Sequence, residues 1–234
     1  MPGFFITLEG PDGAGKTTQW ALLADFLAAA GYSVVRTREP GGPPQAEAIR
    51  ALLANPSADW LPRTEVYLLE AARHEHVERC IRPALAAGQI VLCDRFTDST
   101  LAYQGYGKGL DLAWLRAENE AATGGLQPDL TLLYDLAPEE ALQRIAARQG
   151  LRLEITPEGR LLWSGRGSAS SPTGSAAVER MEWEDLAFHR RVREGFRELH
   201  RQEPHRIYLL DATADITTLQ EQTRRVVEDR MRDA

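Results

Sequence analysis

Gly10-Pro11-Asp12-Gly13-Ala14-Gly15-Lys16-Thr17 fits the spacing G-x-x-x-x-G-K-[ST], and its reading decides the fold. Its glycines let backbone N–H groups turn toward phosphate oxygens with no Cβ in the way. Lys16 supplies a cation for the outer phosphates, and Thr17 offers a hydroxyl to Mg²⁺. A helix starting at this point adds its positive N-terminus. Such a loop has meaning only after a strand and before a helix. Phe4-Phe5-Ile6-Thr7-Leu8 and Thr17–Ala30 supply both.

Outward from the loop, short apolar runs alternate with longer helical patterns. Ser33–Val35, Ile90–Cys93, Leu130–Tyr134 and Arg206–Leu210 read as further strands. Continuous apolar strands are those covered on both faces, as in a parallel sheet. Helices are predicted over about 16–30, 44–54, 63–87, 111–123, 138–149, 183–202 and 214–232, with Gly31 and Gly88 placed to end two of them. The alternation predicts an α/β three-layer sandwich: a five-stranded parallel sheet flanked by helices, with right-handed crossovers. Residues 1–234 read as a single domain without repeats or a linker. Leu151–Ile155 and Arg160–Trp163 read as a hairpin around Pro157-Glu158-Gly159. The Gly/Ser/Ala-rich stretch 165–177 reads as a mobile loop. A lid with an insertion is therefore expected at about 148–180.

Composition narrows the function. The chain is 43% hydrophobic and 26% charged, with a net charge of −7. That is ordinary for a soluble protein and a poor match for wrapping long nucleic acid, which demands clustered cations. No apolar run approaches the ~20 residues of a membrane helix. The N-terminus lacks the basic and apolar regions of a signal peptide, so the cytoplasm is expected. Lys16 and Lys108 are the only lysines. Cys80 and Cys93 are too few and too far apart for a metal knuckle or redox pair. His74 and His76, one residue apart, would point to different helix faces and are expected at the surface.

A phosphate loop does not name the second substrate. Asp94 ends the Ile90–Cys93 strand, at the carboxyl edge of the sheet where ligands bind. Arg95 follows it, Arg38 ends a strand in the same way, and Arg73 lies mid-helix. Three guanidinium groups near one sheet edge suit a phosphate-bearing acceptor, because arginine binds phosphate bidentately. No Asn-Lys-x-Asp guanine signature accompanies the loop.

In these segments the chain resembles the thymidylate kinases among the nucleoside monophosphate kinases, P-loop NTPases by fold. The matching stretches are Gly10–Thr18, Arg38-Glu39-Pro40-Gly41-Gly42, Leu68–Arg73, Asp94-Arg95-Phe96 with Ser99–Gly105, Gln127–Leu130, Pro138–Arg144 and Phe188–Arg193. The resemblance covers almost everything except about 151–178. It implies transfer of a phosphoryl group from ATP to dTMP, with Mg²⁺. It places Gly10, Pro11, Asp12, Gly13, Ala14, Gly15, Lys16, Thr17, Thr18 and Arg144 at ATP, and Thr17 and Asp94 at the metal. Asp12 would bond the acceptor's 3′-hydroxyl, while Arg38 and Arg95 hold its phosphate. Arg73 would contact thymine, and Thr100 and Gln104 would read the base edge beside Ser99. Tyr103 would pack where a ribose 2′-hydroxyl would sit. Leu69 stands where the family usually has a Phe on the thymine ring; an aliphatic chain still covers it. Some members carry a basic residue in the loop itself, at the position of Gly13. Its absence implies a transition-state cation from the lid: Arg148 or Arg180, ahead of Arg152, Arg160 and Arg166. A homodimer is also implied, with helix 63–87 as a contact. The competing readings are a kinase for another nucleotide and a non-catalytic nucleotide-binding regulator.

Overall fold

The computed structural model describes residues 3–55, 57–165 and 184–233. In chain order these form β1 (Phe4–Glu9), α1 (Lys16–Ala29), β2 (Val34–Arg38), α2 (Pro44–Leu53) and α3 (Pro62–His76). A π-helical turn, Val77–Ile81, joins α3 to α4 (Arg82–Ala86). β3 (Ile90–Asp94), α5 (Thr97–Thr100), a second π-helical turn (Leu101–Gly107), α6 (Leu112–Thr123), β4 (Leu130–Asp135) and α7 (Pro138–Gln149) follow. The chain continues through β5 (Arg152–Ile155), β6 (Leu161–Ser164), α8 (Leu186–Gln202), β7 (Ile207–Asp211) and α9 (Ile216–Asp233).

Five strands make one parallel sheet in the order β2-β3-β1-β4-β7. Its register follows from side-chain alternation. Phe4, Ile6 and Leu8 point to the face covered by α1 and α9, with Leu23, Leu27, Leu219 and Val227. Phe5 points to the other face, beside Val91, Cys93 and Phe96, under Val77, Ile81 and Ala84. Leu133 and Ile207 extend that face beneath α6 and α8. Every residue of β1 is buried, as a central strand between two helical layers requires.

The hairpin β5–β6 pairs with itself alone, antiparallel. Leu153 and Trp163 pack on Leu142, Ile145 and Ala146 of α7, a small core separate from the sheet. The stretch expected to be a mobile loop lies, beyond Gly165, outside the described residues, as do Arg166 and Arg180.

The strands and most helices fall where the sequence places them. Helix 63–87 is helical throughout its length, but the π-turn widens it between His76 and Arg82. Thr97–Gly107 is helical where no helix was expected. Its Gly105 and Gly107 depress helix propensity. Packing overrides that: a Cβ on Gly107 would lie 2.6 Å from the Phe188 ring. The surface expectation for His76 is wrong. His74 is exposed, whereas His76 is 0% exposed, because it turns inward to a buried carboxylate.

Candidate active site

A cleft of about 480 Å³ opens at the carboxyl edge of the sheet. Asp12, Lys16, Thr17, Arg38, Arg95 and Arg148 are among its lining residues, with Asp94, Thr18, Arg50 and Arg144 beside them. The strand order places β1 between β3 and β4, so the loop leaving β1 sits at the switch point of the sheet. Gly13 has φ +83°, and a Cβ there would lie 2.3 Å from the Ala141 carbonyl oxygen. A side chain does not fit at that position, so the loop carries no basic residue there and Lys16 is its cation. Gly15, at φ 86°, turns the chain into α1.

Lys16 is buried and folds back on its own loop. Its Nζ donates to the carbonyls of Gly10 at 3.0 Å and Pro11 at 2.8 Å. Burial and the nearby Arg95 pull its amine below the usual lysine range, against the opposing pull of Asp12, Asp94 and Glu9.

Arg95 joins the two halves of the cleft. Its Nη2 donates to Asp12 Oδ1 at 2.6 Å and to the Tyr103 hydroxyl at 3.2 Å. Its Nη1 donates to Ser99 Oγ at 3.0 Å and the Gly10 carbonyl at 3.2 Å. The Tyr103 hydroxyl in turn donates to Asp12 Oδ2 at 3.4 Å. Burial opposes ionisation of Asp12, but Arg95 and Lys16 outweigh it and hold the carboxyl well below its usual range. Arg95 itself has φ 72°, the only positive value outside glycine among the described residues. Such strain persists where surrounding bonds over-determine it.

At the end of β2, Arg38 is exposed and donates to both Glu47 oxygens, at 3.2 and 3.3 Å. Arg50 reaches the Pro40 carbonyl at 2.9 Å. Arg50 was not singled out in the sequence, where nothing local marks it; only the fold brings α2 to the cleft. Arg73 lies deeper, 3% exposed. Its Nε donates to Glu39 at 2.8 Å, and its Nη1 to Glu70 and Asn119, each at 2.6 Å. Its Nη2 donates to the Phe96 carbonyl at 3.2 Å and Thr100 Oγ1 at 3.1 Å. All five N–H groups are thereby used. Thr100 and Gln104 are buried as well, with the Gln104 amide on Glu65 at 2.9 Å. Leu69 is half-buried on α3, one turn before Arg73. Arg144, of α7, lines the cleft and donates to the Ala212 carbonyl at 3.1 Å. Arg148 is exposed at the cleft; Arg152 and Arg160, on the hairpin, are exposed and are not among the lining residues.

Three ionisable groups behind the site are buried, Glu9, Glu39 and His76, and the sequence assigned none of them an interior role. Glu9 is 0% exposed, and burial lifts its carboxyl to about 7, with Asp98 adding to the rise and Arg95 opposing it. Glu39 takes Arg73 on one oxygen and His76 Nδ1, at 2.9 Å, on the other. His76 Nε2 lies 2.6 Å from Thr37 Oγ1. Burial alone would lower the imidazole, but its bonds to Cys80 and Glu39 and the Glu39 charge outweigh it and lift His76 to about 9. The ordinary value is near 6.5. The stability gained from protonated His76 is therefore complete below about pH 6.5 and is lost as pH rises through about 9. We expect the thermal midpoint of the wild-type chain to fall over that window more steeply than that of His76→Phe. Parallel melting curves from pH 6 to 10 check this, and parallel slopes would remove the charge from His76.

Mg²⁺ fits the residues present. Asp94 Oδ1 is buried at the cleft and makes no hydrogen bond among the described residues. A carboxylate oxygen left without a donor is suited to a hard cation. The exposed Thr17 hydroxyl lines the same cleft.

A phosphate loop opening α1, with Arg38, Arg50 and Arg95 lining the same cleft, defines a P-loop phosphotransferase. The thymidylate kinase family model matches residues 8–158. The chain is 47% identical over 221 residues to the thymidylate kinase of Exiguobacterium sibiricum, covering 94% of this chain and 92% of that protein. It is 47% identical over 215 residues to the thymidylate kinase of Caulobacter vibrioides, covering 92% and 90%. Among solved structures, the thymidylate kinase of Ehrlichia chaffeensis superposes with a TM-score of 0.70 at 31% identity, covering 97% of this chain and 99% of that one. The chain belongs to the thymidylate kinase family and is an enzyme.

Proposed function

We propose that this chain transfers the γ-phosphoryl group of ATP to the phosphate of dTMP, giving ADP and dTDP. The 2.6 Å bond from Arg95 to Asp12 carries the reading. It makes the loop suited to ATP and the strand-end arginine suited to an acceptor phosphate one continuous surface. An oxygen of the dTMP phosphate attacks Pγ, and the bond from Pγ to the β–γ bridging oxygen breaks, releasing ADP. That oxygen is already a nucleophile, so alignment and positive charge suffice without a general base.

Gly10–Thr18 and Arg144 bind ATP, and Lys16 leaves the Gly10 and Pro11 carbonyls to meet its outer phosphates. Arg38, Arg50 and Arg95 hold the acceptor phosphate. Asp12 bonds the 3′-hydroxyl and Tyr103 packs against the sugar. Arg73, Ser99, Thr100 and Gln104 surround the base, with Leu69 over its ring. Thr17 and Asp94 would hold Mg²⁺, which supplies charge neutralisation between the phosphates when bound. Arg148 is the lid cation supported by the structure, because it lines the cleft; Arg180 lies outside the described residues. Residues 1–234 act as one kinase domain, with 148–180 as its lid. The chain works in the cytoplasm as a homodimer, consistent with the exposed Tyr67 on α3 and the exposed Leu61 beside it. Among the described residues no helix is long and apolar enough to cross a membrane.

The test is an ADP-release assay with Mg·ATP and a panel of acceptors: dTMP, dUMP, UMP, dCMP, dGMP and thymidine. Strong preference for dTMP is expected. Comparable rates on several monophosphates would overturn the acceptor assignment and make Leu69→Phe the first variant to build.

A further inference from the structure

We infer that Glu9 is a positioning residue for the acceptor: through Ser99 and the Phe96 amide it fixes the strained Arg95 turn and aims the guanidinium. The inference rests on Arg95 as an acceptor-phosphate ligand.

The geometry is a short relay. Glu9 Oε1 accepts the Phe96 N–H at 2.7 Å, and Oε2 accepts the Ser99 hydroxyl at 2.6 Å. With Glu9 ionised, above pH about 7, the Ser99 proton is committed to Glu9, so its oxygen presents only lone pairs to Arg95 Nη1, 3.0 Å away. One residue earlier in β1, the Leu8 carbonyl accepts the Arg95 N–H at 3.0 Å. Consecutive residues of a central strand therefore hold the turn on both sides of its left-handed residue. A φ of 72° at Arg95 is unfavourable for a side-chain-bearing residue, and these bonds are what the alternative conformation would forfeit. Burying a carboxylate completely is costly. The hydrogen bonds Glu9 accepts come from Phe96 and Ser99, both in the Arg95 turn.

Glutamine in place of Glu9 keeps the shape but must present an N–H toward Ser99 or Phe96, which reverses one bond of the relay. Steady-state kinetics of E9Q, S99A, the double variant and R95A test the inference. E9Q and S99A are each expected to raise the KM for dTMP about tenfold, the effect of one lost charge-assisted bond, with the KM for ATP nearly unchanged. The double variant is expected to be no worse than the singles, because both break one relay. An unchanged dTMP KM in E9Q, or additive effects in the double variant, would overturn the role of Glu9. If E9Q fails to fold, S99A still decides: a dTMP KM at the wild-type value removes the relay. An unchanged dTMP KM in R95A would overturn the Arg95 assignment and with it this inference. A large effect in R95A beside none in E9Q removes Glu9 alone.

Discussion

Lys16→Ala is expected to lower turnover by on the order of a thousand-fold or more, the scale of deleting a preorganised charge at developing phosphate charge. The structure explains why this loss should fall on catalysis and not on folding. Lys16 Nζ rests on the Gly10 and Pro11 carbonyls of its own loop. The Gly10 carbonyl keeps a donor when the side chain is removed, because Arg95 Nη1 also reaches it at 3.2 Å. Burial and Arg95 already work against its charge, so an incoming polyphosphate relieves that environment. A purified Lys16→Ala protein should therefore melt within a few degrees of the wild type while releasing almost no ADP. Near-normal turnover in that protein would refute the phosphate-loop assignment.

Arg73→Ala is expected to have the largest effect on stability. Glu39 and Glu70, each buried, lose their shared cation, and Asn119, Thr100 and the Phe96 carbonyl each lose a donor. Removing one partner of a buried ionic cluster costs about 3–5 kcal/mol, equivalent to a fall in thermal midpoint of roughly 10 °C for a chain of this size. Arg73→Lys should recover little of it, because one ammonium cannot reproduce a five-donor fork. Differential scanning calorimetry decides the matter; a shift under about 2 °C for Arg73→Ala would mean that the cluster relaxes onto water.

The order of elements and the phosphate loop were legible in the sequence because both rest on local signals: apolar periodicity for the sheet, and glycines with Lys16-Thr17 for the loop. The strand ends at Arg38 and Asp94 followed from the same signals. Glu9, Glu39 and His76 were not legible. Each is an ionisable side chain that a linear reading places at the surface, and each is buried because its partners come from distant segments. Glu9 meets residues 87 and 90 positions away, and Glu39 meets His76 across 37. The Thr97–Gly107 helix was hidden for a related reason, since its glycines answer to distant neighbours and not to helix propensity: Gly105 to Leu112 and Leu115 of α6, Gly107 to Phe188 and Val192 of α8.

The saturation of Arg73 changes what recognition at that position means. With five acceptors on five N–H groups, the guanidinium has no vacant donor to extend to an arriving nucleobase. A base that docks there through an acceptor must exchange with one of the protein's own, so the gain is the difference between two hydrogen bonds and not the whole of one. Selectivity at that contact is then a matter of substitution: a poor acceptor returns the bond to Thr100 or Phe96, and the base is turned away without a clash.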